Sequence, residues 1–287
     1  MAKNSKGRAI QNLLNIDADD RVNAFIRVKG LDDEEYINSH NLIFCTKKGI
    51  IKKTVLEQYS RPRANGVNAI IIREDDEVIQ VRLTDGDSEI ILANREGNAI
   101  RFHESKVRPM GRMSTGVKGM TLEGDDEIIG MITMNGSDDE TVMVVSEKGY
   151  GKRSPLEDYR ITNRGGKGVR TLNVTDKTGK LVAIKNVNDQ NDLMIINQSG
   201  ITLRLAVADV RVMGRATQGV KLIDLSKRGD TIASVCKVDS DPEEEVEEGI
   251  QAEEGSYNTS EMKVSSTDAT LDLEFEEDVE EDSNSEN

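Results

Sequence analysis

Apolar residues along this chain fall into runs of four to eight positions, rich in isoleucine, valine and threonine and closed off by glycine, asparagine or aspartate. Runs of that length and composition predict β-strands rather than helices. In "EVIQVRL" the side chains of Ile79, Val81 and Leu83 fall on one face, with Val78, Gln80 and Arg82 on the other. That period-two pattern predicts a half-exposed strand. In "DLMIINQSG" the run is continuous, which predicts a strand covered on both faces.

The pattern repeats. A hairpin-like segment recurs as "NLIFCTKKGIIKK", "EIILANREGNAIRF", "TVMVVSEKGYGKRS" and "DLMIINQSGITLRL", with glycines at Gly49, Gly97, Gly149 and Gly200 at spacings of 48, 52 and 51 residues. Each of these glycines is expected to supply the positive φ of a tight turn. A second segment recurs as "NSKGRAIQNL", "RANGVNAIII", "MSTGVKGMTL", "RGGKGVRTLN" and "ATQGVKLIDL", lying 17 to 19 residues beyond the hairpin glycine wherever a hairpin precedes it. A third, "DDRVNAFIRV", "DDEVIQVRLT", "DDEIIGMITM", "GKLVAIKNV" and "GDTIASVCKV", closes each unit. Each unit makes about four strands, too few to bury a core alone, and all-strand units of this length usually stack radially as blades. The reading is therefore all-β: a propeller-like disc of four-stranded blades over residues 1–238, with four full repeats preceded by an incomplete first one that lacks its hairpin.

Charge divides the chain at the same boundary. Residues 239–287 hold twenty acidic residues and one lysine, so that the first 238 residues are net +4 although the whole chain is −15. Runs such as "DPEEEVEEG" repel themselves and offer little apolar surface, which predicts a disordered acidic C-terminal tail. The tail serves either solubility or competition for whatever the basic body binds. Aromatic residues make up 3% with no tryptophan, which argues against a stacking platform for single strands. Neither end carries a secretory apolar core and no run approaches the roughly 18 residues of a membrane span, so a cytoplasmic protein without membrane contact is expected. Cys45 and Cys236 lie in apolar runs and are expected as buried strand thiols. His40 and His103 have no partner at metal-ligand spacing, so no metal site is expected.

Cations recur within the units. Those around and after the hairpins are Lys47, Lys48, Lys52 and Lys53, then Arg95 and Arg101, then Lys148, Lys152 and Arg153, then Arg204. Those preceding the second glycine anchor are Arg61 and Arg63, then Lys106, Arg108 and Arg112, then Arg160, Arg164 and Lys167, then Arg211 and Arg215. Equivalent positions in stacked blades share a rim, so recurrence predicts a basic stripe. The acidic turns "DADDR", "EDDEV" and "EGDDEI" are expected to face away from it. A positive edge on a body of low net charge suits a polyanion. No base-reading helix, zinc finger or basic zipper is evident, so contacts would go to phosphates. In "YRITNRGGKGVRTL", Gly166–Lys167 is followed by Gly168 rather than Ser or Thr, and the position five before Gly166 is Ile161, which excludes a nucleotide-phosphate loop. Arg164, Lys167 and Arg170 instead extend the stripe, with Gly165 and Gly166 expected to let the backbone approach a sugar-phosphate chain, amides outward.

At this stretch, "RGGKG" preceded by "GYGKRSPLEDY" is similar to the gyrase A box and its flanking strand, and "SKGRAIQNLLNI", "GIIKKTVL", "RPMGRMSTGVKGM" and "VMGRATQGVKLI" extend the likeness over residues 5–238. The chain thus resembles the C-terminal domain of the DNA gyrase A protein, and the acidic tail resembles that family's tail. The resemblance implies a β-pinwheel whose basic perimeter wraps double-stranded DNA, within an A2B2 holoenzyme with the rest of gyrase A and gyrase B, in the nucleoid. Negative supercoiling there uses ATP bound on gyrase B, so ATP and Mg are implied on other parts of the holoenzyme and no cofactor in this chain. Arg164, Gly165, Gly166, Lys167 and Gly168 match the box; Thr162 and Asn163 stand where the family motif has glutamine and arginine. In such gyrases the box lies in the first blade, whereas here it lies in the next-to-last full unit, which implies a fragment that begins inside the second blade. No tyrosine has the setting of the cleaving residue, so no catalytic residue is expected; Tyr59 and Tyr159 read as packing residues. The alternatives are the matching domain of topoisomerase IV and a propeller-like protein-binding scaffold.

Overall fold

The computed structural model describes residues 21–63, 65–135, 139–225 and 229–239. By contact the chain divides into two units, Met1–Ser240 and Asp241–Asn287. The second unit lies outside the described residues, as do the expected disordered tail and the glycine anchor of the incomplete first repeat.

Among the described residues, the first unit holds four antiparallel sheets. Blade one joins β1 (Asn41–Thr46), β2 (Ile50–Val55) and β3 (Val78–Thr84) to β6 (Val117–Lys118), in the order β3-β1-β2-β6. Blade two contains β4 (Glu89–Asn94), β5 (Asn98–His103), β7 (Ile128–Met134) and β10 (Val169–Arg170). Blade three contains β8 (Thr141–Ser146), β9 (Tyr150–Pro155), β11 (Leu181–Val187) and β14 (Val220–Lys221). Blade four has three strands, β12 (Asn191–Asn197), β13 (Thr202–Ala206) and β15 (Ile232–Asp239). The turn glycines Gly49, Gly97, Gly149 and Gly200 all have φ between +79° and +84°, as the hairpin reading requires. One short helix, α1 (Glu34–Ser39), was not expected; Asp33 caps it by accepting from the Tyr36 amide at 3.0 Å.

The second recurrent segment is an exchanged arm. After the β4–β5 hairpin the chain crosses to blade one, where β6 pairs with β2, and returns to blade two with β7 beside β4. The arms β10 and β14 repeat the manoeuvre, pairing with β5 and β9 of the preceding blades. The third segments β3, β7, β11 and β15 form the innermost strands and pack on one another successively. Arms therefore occupy the outer perimeter.

The core lies between blades. On β4, Ile90 and Leu92 pack with Ile43, Cys45 and Ile51 of blade one, while Ile91 and Ala93 pack with Val142 and Val144 of blade three. A strand covered on both faces needs a continuous apolar run, which β1, β4 and β8 have. Each fully buried Ile or Leu contributes about 1.5–3 kcal/mol. In β12 burial alternates instead, with Leu193 and Ile195 fully buried but Met194 and Ile196 half-buried. The expectation of two covered faces is corrected there: among the described residues, only blade three packs on β12. Cys45 is buried as expected, whereas Cys236 is exposed.

Candidate nucleic-acid interface

The recurrent cations separate into three environments. The first is the axial end of the disc. Lys47 Nζ lies 3.3 Å from Glu77 and 3.0 Å from Glu127, and Arg95 bridges Glu127 at 3.0 Å and Glu147 at 3.6 Å. These charges line a cavity of about 480 Å³ together with the inner-strand residues Ile79, Ile129 and Val182. Lys47 is held above the usual lysine range by its bonds to Glu127 and then Glu77. Burial would raise Glu127, but the bonds from Lys47 and Arg95 outweigh it and hold the carboxyl low. Beside this ring, the Lys48 amide donates to Asp76 at 2.9 Å and its Nζ to the Glu74 carbonyl at 3.4 Å, and Lys148 Nζ donates to the Asp176 carbonyl at 2.5 Å. Lys47, Lys48, Arg95 and Lys148 thus sit among the acidic turns and do not join the perimeter stripe.

The second environment is buried. Lys52 and Lys152 have no exposed surface, and Lys53 and Arg153 are 5% and 7% exposed. Lys52 Nζ donates to the carbonyls of Ala69 and Arg112, both at 2.6 Å, and Lys152 Nζ to that of Gly214 at 2.5 Å. Burial pushes both ammonium groups down, each to about 8. Lys53 pairs with the buried Glu104 at 3.5 Å. Arg101 holds Glu89 at 2.6 Å and donates to the carbonyls of Leu156 and Tyr159 at 2.8 and 2.9 Å. Arg153 pairs with Asp189 and donates to the Val210 carbonyl at 2.6 Å. Each side chain reaches the connector of the following unit, Lys52 also bonding Ala69 of its own unit and Arg101 the Glu89 of its own hairpin, so these donors are spent inside the protein. Arg204 of blade four repeats the pairing, with Asp192 at 2.6 Å, but remains half-exposed.

The third environment is the perimeter, formed by the connectors and arms. Arg61, Arg63, Lys106, Arg108, Arg160, Lys167, Arg170 and Arg211 are exposed on it. Arg164 donates to the carbonyls of Lys106 and Lys118 at 2.9 and 3.0 Å, and Arg215 to that of Arg170 at 2.8 Å. Lys118 and Arg170 each lie two residues past their arm glycine, so the contact recurs one blade on. Arg112, the equivalent of Arg164, is half-buried, and its amide donates to Gln58 at 3.1 Å. Lys167 pairs with Glu123 across a surface where both side chains are about 70% exposed, an arrangement worth little in water. Arg108, Arg160 and Arg211 hold equivalent places in three successive connectors and have no ion pair among the described residues.

Of the box glycines, Gly168 is required by packing. A Cβ on Gly168 would meet the Ala99 carbonyl oxygen at 2.4 Å, and φ there is +81°. The Gly165 amide donates to the Gly119 carbonyl at 2.6 Å, and the carbonyls of Gly165 and Gly166 accept from Thr121. The expected outward amide at Gly165 is therefore corrected: it is consumed against the neighbouring arm. Arg160, Thr162, Asn163, Gly166 and Lys167 line a recess of about 280 Å³ beside this turn. Two perimeter cations escaped the sequence reading, Lys118 on β6 and Lys221 on β14, both exposed and both equivalent to Arg170. The aligned "GVKGM", "GVRTL" and "GVKLI" carry that signal. Tyr159 is buried with its hydroxyl bonded to Thr171, and Tyr59 donates to the Ala69 carbonyl at 3.2 Å, both as packing residues.

The model of the DNA gyrase C-terminal domain, beta-propeller, family matches residues 40–85, 88–134, 140–188 and 191–237, one match for each hairpin-bearing blade. The DNA gyrase A protein of Staphylococcus aureus (strain MRSA252) is 42% identical over 268 residues, covering 92% of this chain and 30% of that relative. The gyrase A protein of strain NCTC 8325 / PS 47 is 42% identical over 254 residues, covering 88% and 28%. The chain thus spans about 30% of the length of these curated relatives. Among solved structures, the C-terminal domain of DNA topoisomerase IV aligns with a TM-score of 0.74 at 26% identity, covering 87% of this chain and 76% of that one. A DNA gyrase A C-terminal domain aligns with 0.70 at 23% identity over 81% and 75%, a likeness of fold.

Proposed function

Because the chain belongs to the DNA gyrase C-terminal domain family, we propose that its perimeter binds and bends duplex DNA without reading sequence, as the wrapping module of gyrase A. The observation that carries this reading is the recurrence of Arg108, Arg160 and Arg211, exposed and without an ion pair among the described residues, on three successive outer connectors. Lys118, Arg170 and Lys221 on the arms beside them widen the positive band. Cations spaced along a curved edge reach successive phosphates only if the duplex follows that edge. Smoothly bending 20–30 base pairs through 40–90° costs of order 1–6 kcal/mol, which several charge-assisted contacts offset. In a holoenzyme of two gyrase A and two gyrase B chains, acting on the nucleoid in the cytoplasm, a wrapped segment would be presented for strand passage and negative supercoiling. ATP and Mg would be held by other parts of that assembly.

Anisotropy of a labelled duplex in increasing salt tests the reading. Engagement of about five to ten phosphates predicts a steep fall of log affinity, by about 0.9 per phosphate for each log unit of salt. Absence of binding at low salt would overturn it in favour of a protein-binding scaffold. The gyrase reading is preferred to topoisomerase IV because the 42% identity over most of the chain is to gyrase A.

A further inference from the structure

Each of the three perimeter arginines without an ion pair among the described residues is followed by an exposed apolar residue: Arg108–Pro109, Arg160–Ile161 and Arg211–Val212. Ile161 is 58% exposed and Val212 45%. A lone exposed apolar side chain needs no explanation, but these three stand at one structural position in three units. The backbone holds that position rigidly from both sides. The residue before each arginine is buried, as Val107, Tyr159 and Val210. The apolar residue bridges in parallel to the clasp cation of the preceding blade, Pro109 to Lys53, Ile161 to Arg101 and Val212 to Arg153. The next amide then donates to that clasp residue's carbonyl, Met110 to Lys53 at 2.8 Å, Thr162 to Arg101 at 2.9 Å and Met213 to Arg153 at 2.8 Å. The backbone of Lys53, Arg101 and Arg153 therefore fixes, blade by blade, a doublet of one exposed charge and one stiff apolar tip.

Pro, Ile and Val suit that tip because the proline ring and the branched Cβ leave few rotamers, so a tip pressed against a neighbour does not fold away. Short apolar side chains beside arginine are the means by which minor-groove proteins lever base steps apart and kink a duplex. A purely electrostatic rim would gain more from a polar residue at this place. Resting on the DNA-binding perimeter described above, we propose that Pro109, Ile161 and Val212 are wedges that enter the minor groove beside their arginines and concentrate the bend at one kinked step per blade. The arginine neutralises the flanking phosphate, and the apolar tip displaces water from the sugar and base edges where stacking opens. Pyrimidine–purine steps, the easiest to unstack, would be favoured at the wedge positions.

The test compares the 287-residue chain with an Ile161→Ser, Val212→Ser variant, which leaves every cation in place. Two duplexes of one sequence are used, one intact and one with two-base mismatch bubbles spaced along it, which are already unstacked. The variant is expected to bind the intact duplex about tenfold more weakly and the bubbled duplex within about twofold of the parent, the difference being the lost help in unstacking. The salt slope should not change, since the phosphates contacted are the same. Ile161→Val with Val212→Ile should restore binding, and a thermal melt should show the serine variant folded. Permanganate oxidation of unstacked thymines reports the same event with the unaltered protein: hyperreactive thymines are expected in the parent complex on intact duplex, and lost in the variant. Equal binding of both duplexes by parent and variant, equal weakening on both duplexes, or no hyperreactive thymine with the parent would each overturn the wedges while leaving a DNA-binding perimeter standing. Failure of the parent to bind either duplex would remove the perimeter reading itself.

Discussion

Four residues after each hairpin glycine stands a cation, Lys53, Arg101, Arg153 or Arg204, and the first three are withdrawn from solvent to fasten the next connector. Arg160, by contrast, is exposed on the rim, with no ion pair among the described residues. The two arginines should therefore answer oppositely to truncation. Arg101→Ala leaves Glu89 and two connector carbonyls without their donor, and should destabilise the fold by about 3–5 kcal/mol in urea denaturation. Arg160→Ala should stay within about 0.5 kcal/mol of the parent while weakening DNA binding and lowering the salt slope by about one. The buried Lys152 gives a pH signature. Its folded value of about 8 lies below the ordinary 10.5, so above about pH 8 the folded chain sheds a proton that the unfolded chain still holds. Stability contributed by this lysine thus rises from pH 8 towards 10.5. Cys45 and Tyr159, both raised by burial, act in the opposite direction above about pH 9, so the parent curve alone is ambiguous. Their effect cancels in the difference: urea midpoints at pH 7.5 and 9.5 should show a shallower rise, or a deeper fall, for Lys152→Met than for the parent.

At the scale of elements, the exchanged arm is the device that converts a row of hairpins into one body. An arm must lie almost on the backbone of the preceding hairpin, which is why its glycine is sterically required. At Gly168 an added Cβ would meet Ala99 backbone atoms at 2.4 and 2.7 Å, and at Gly219 those of Gly151 at 2.6 and 2.9 Å. Gly66 has the same backbone conformation, φ +74°, but nothing within 4 Å of a Cβ. Its segment forms no strand among the described residues. Alanine at Gly66 should then cost only the left-handed conformation, about 1–2 kcal/mol. Alanine at Gly168 adds a backbone clash that lifts β10 from β5, and should cost at least about 2 kcal/mol more. Urea midpoints of the two variants measure the difference, and equal losses would deny the arm its structural part. The repeat, the hairpins and the strand class were legible in the sequence because turn glycines and apolar runs are local. The exchange was not legible from residues alone. The partner of Val169 is Ala99, seventy residues upstream, and nothing local to "GVRTL" says which of two adjacent blades it joins.

At the scale of the whole molecule, the sequence showed that cations recur but not where they end up, because a residue's side in a stacked blade depends on both neighbours. In an ordinary sheet one of Lys52 and Lys53 would face water by alternation; in β2 both faces are covered, and both lysines are buried. The hairpin-turn cations were equally misleading. Lys47 and Arg95 meet Glu127 only because the inner strands bring successive turns together at the axis. The positive field therefore comes from fewer residues than the repeat suggested, and they lie on connectors and arms. That division is measurable. With Arg108, Arg160 and Arg211 replaced together by Gln, the plot of log affinity for duplex DNA against log salt should lose about three units of slope, one for each phosphate contact removed, with no change in melting temperature. Replacing Lys47 and Arg95 together by Gln deletes two positive charges where the rim variant deletes three. A general electrostatic attraction would fall in proportion, but contacts confined to the perimeter predict an unchanged slope and a lower melting temperature, since Glu127 and Glu147 lose their partners. The opposite result, a reduced slope for the axial pair and none for the rim, would move the DNA from the edge of the disc to its face.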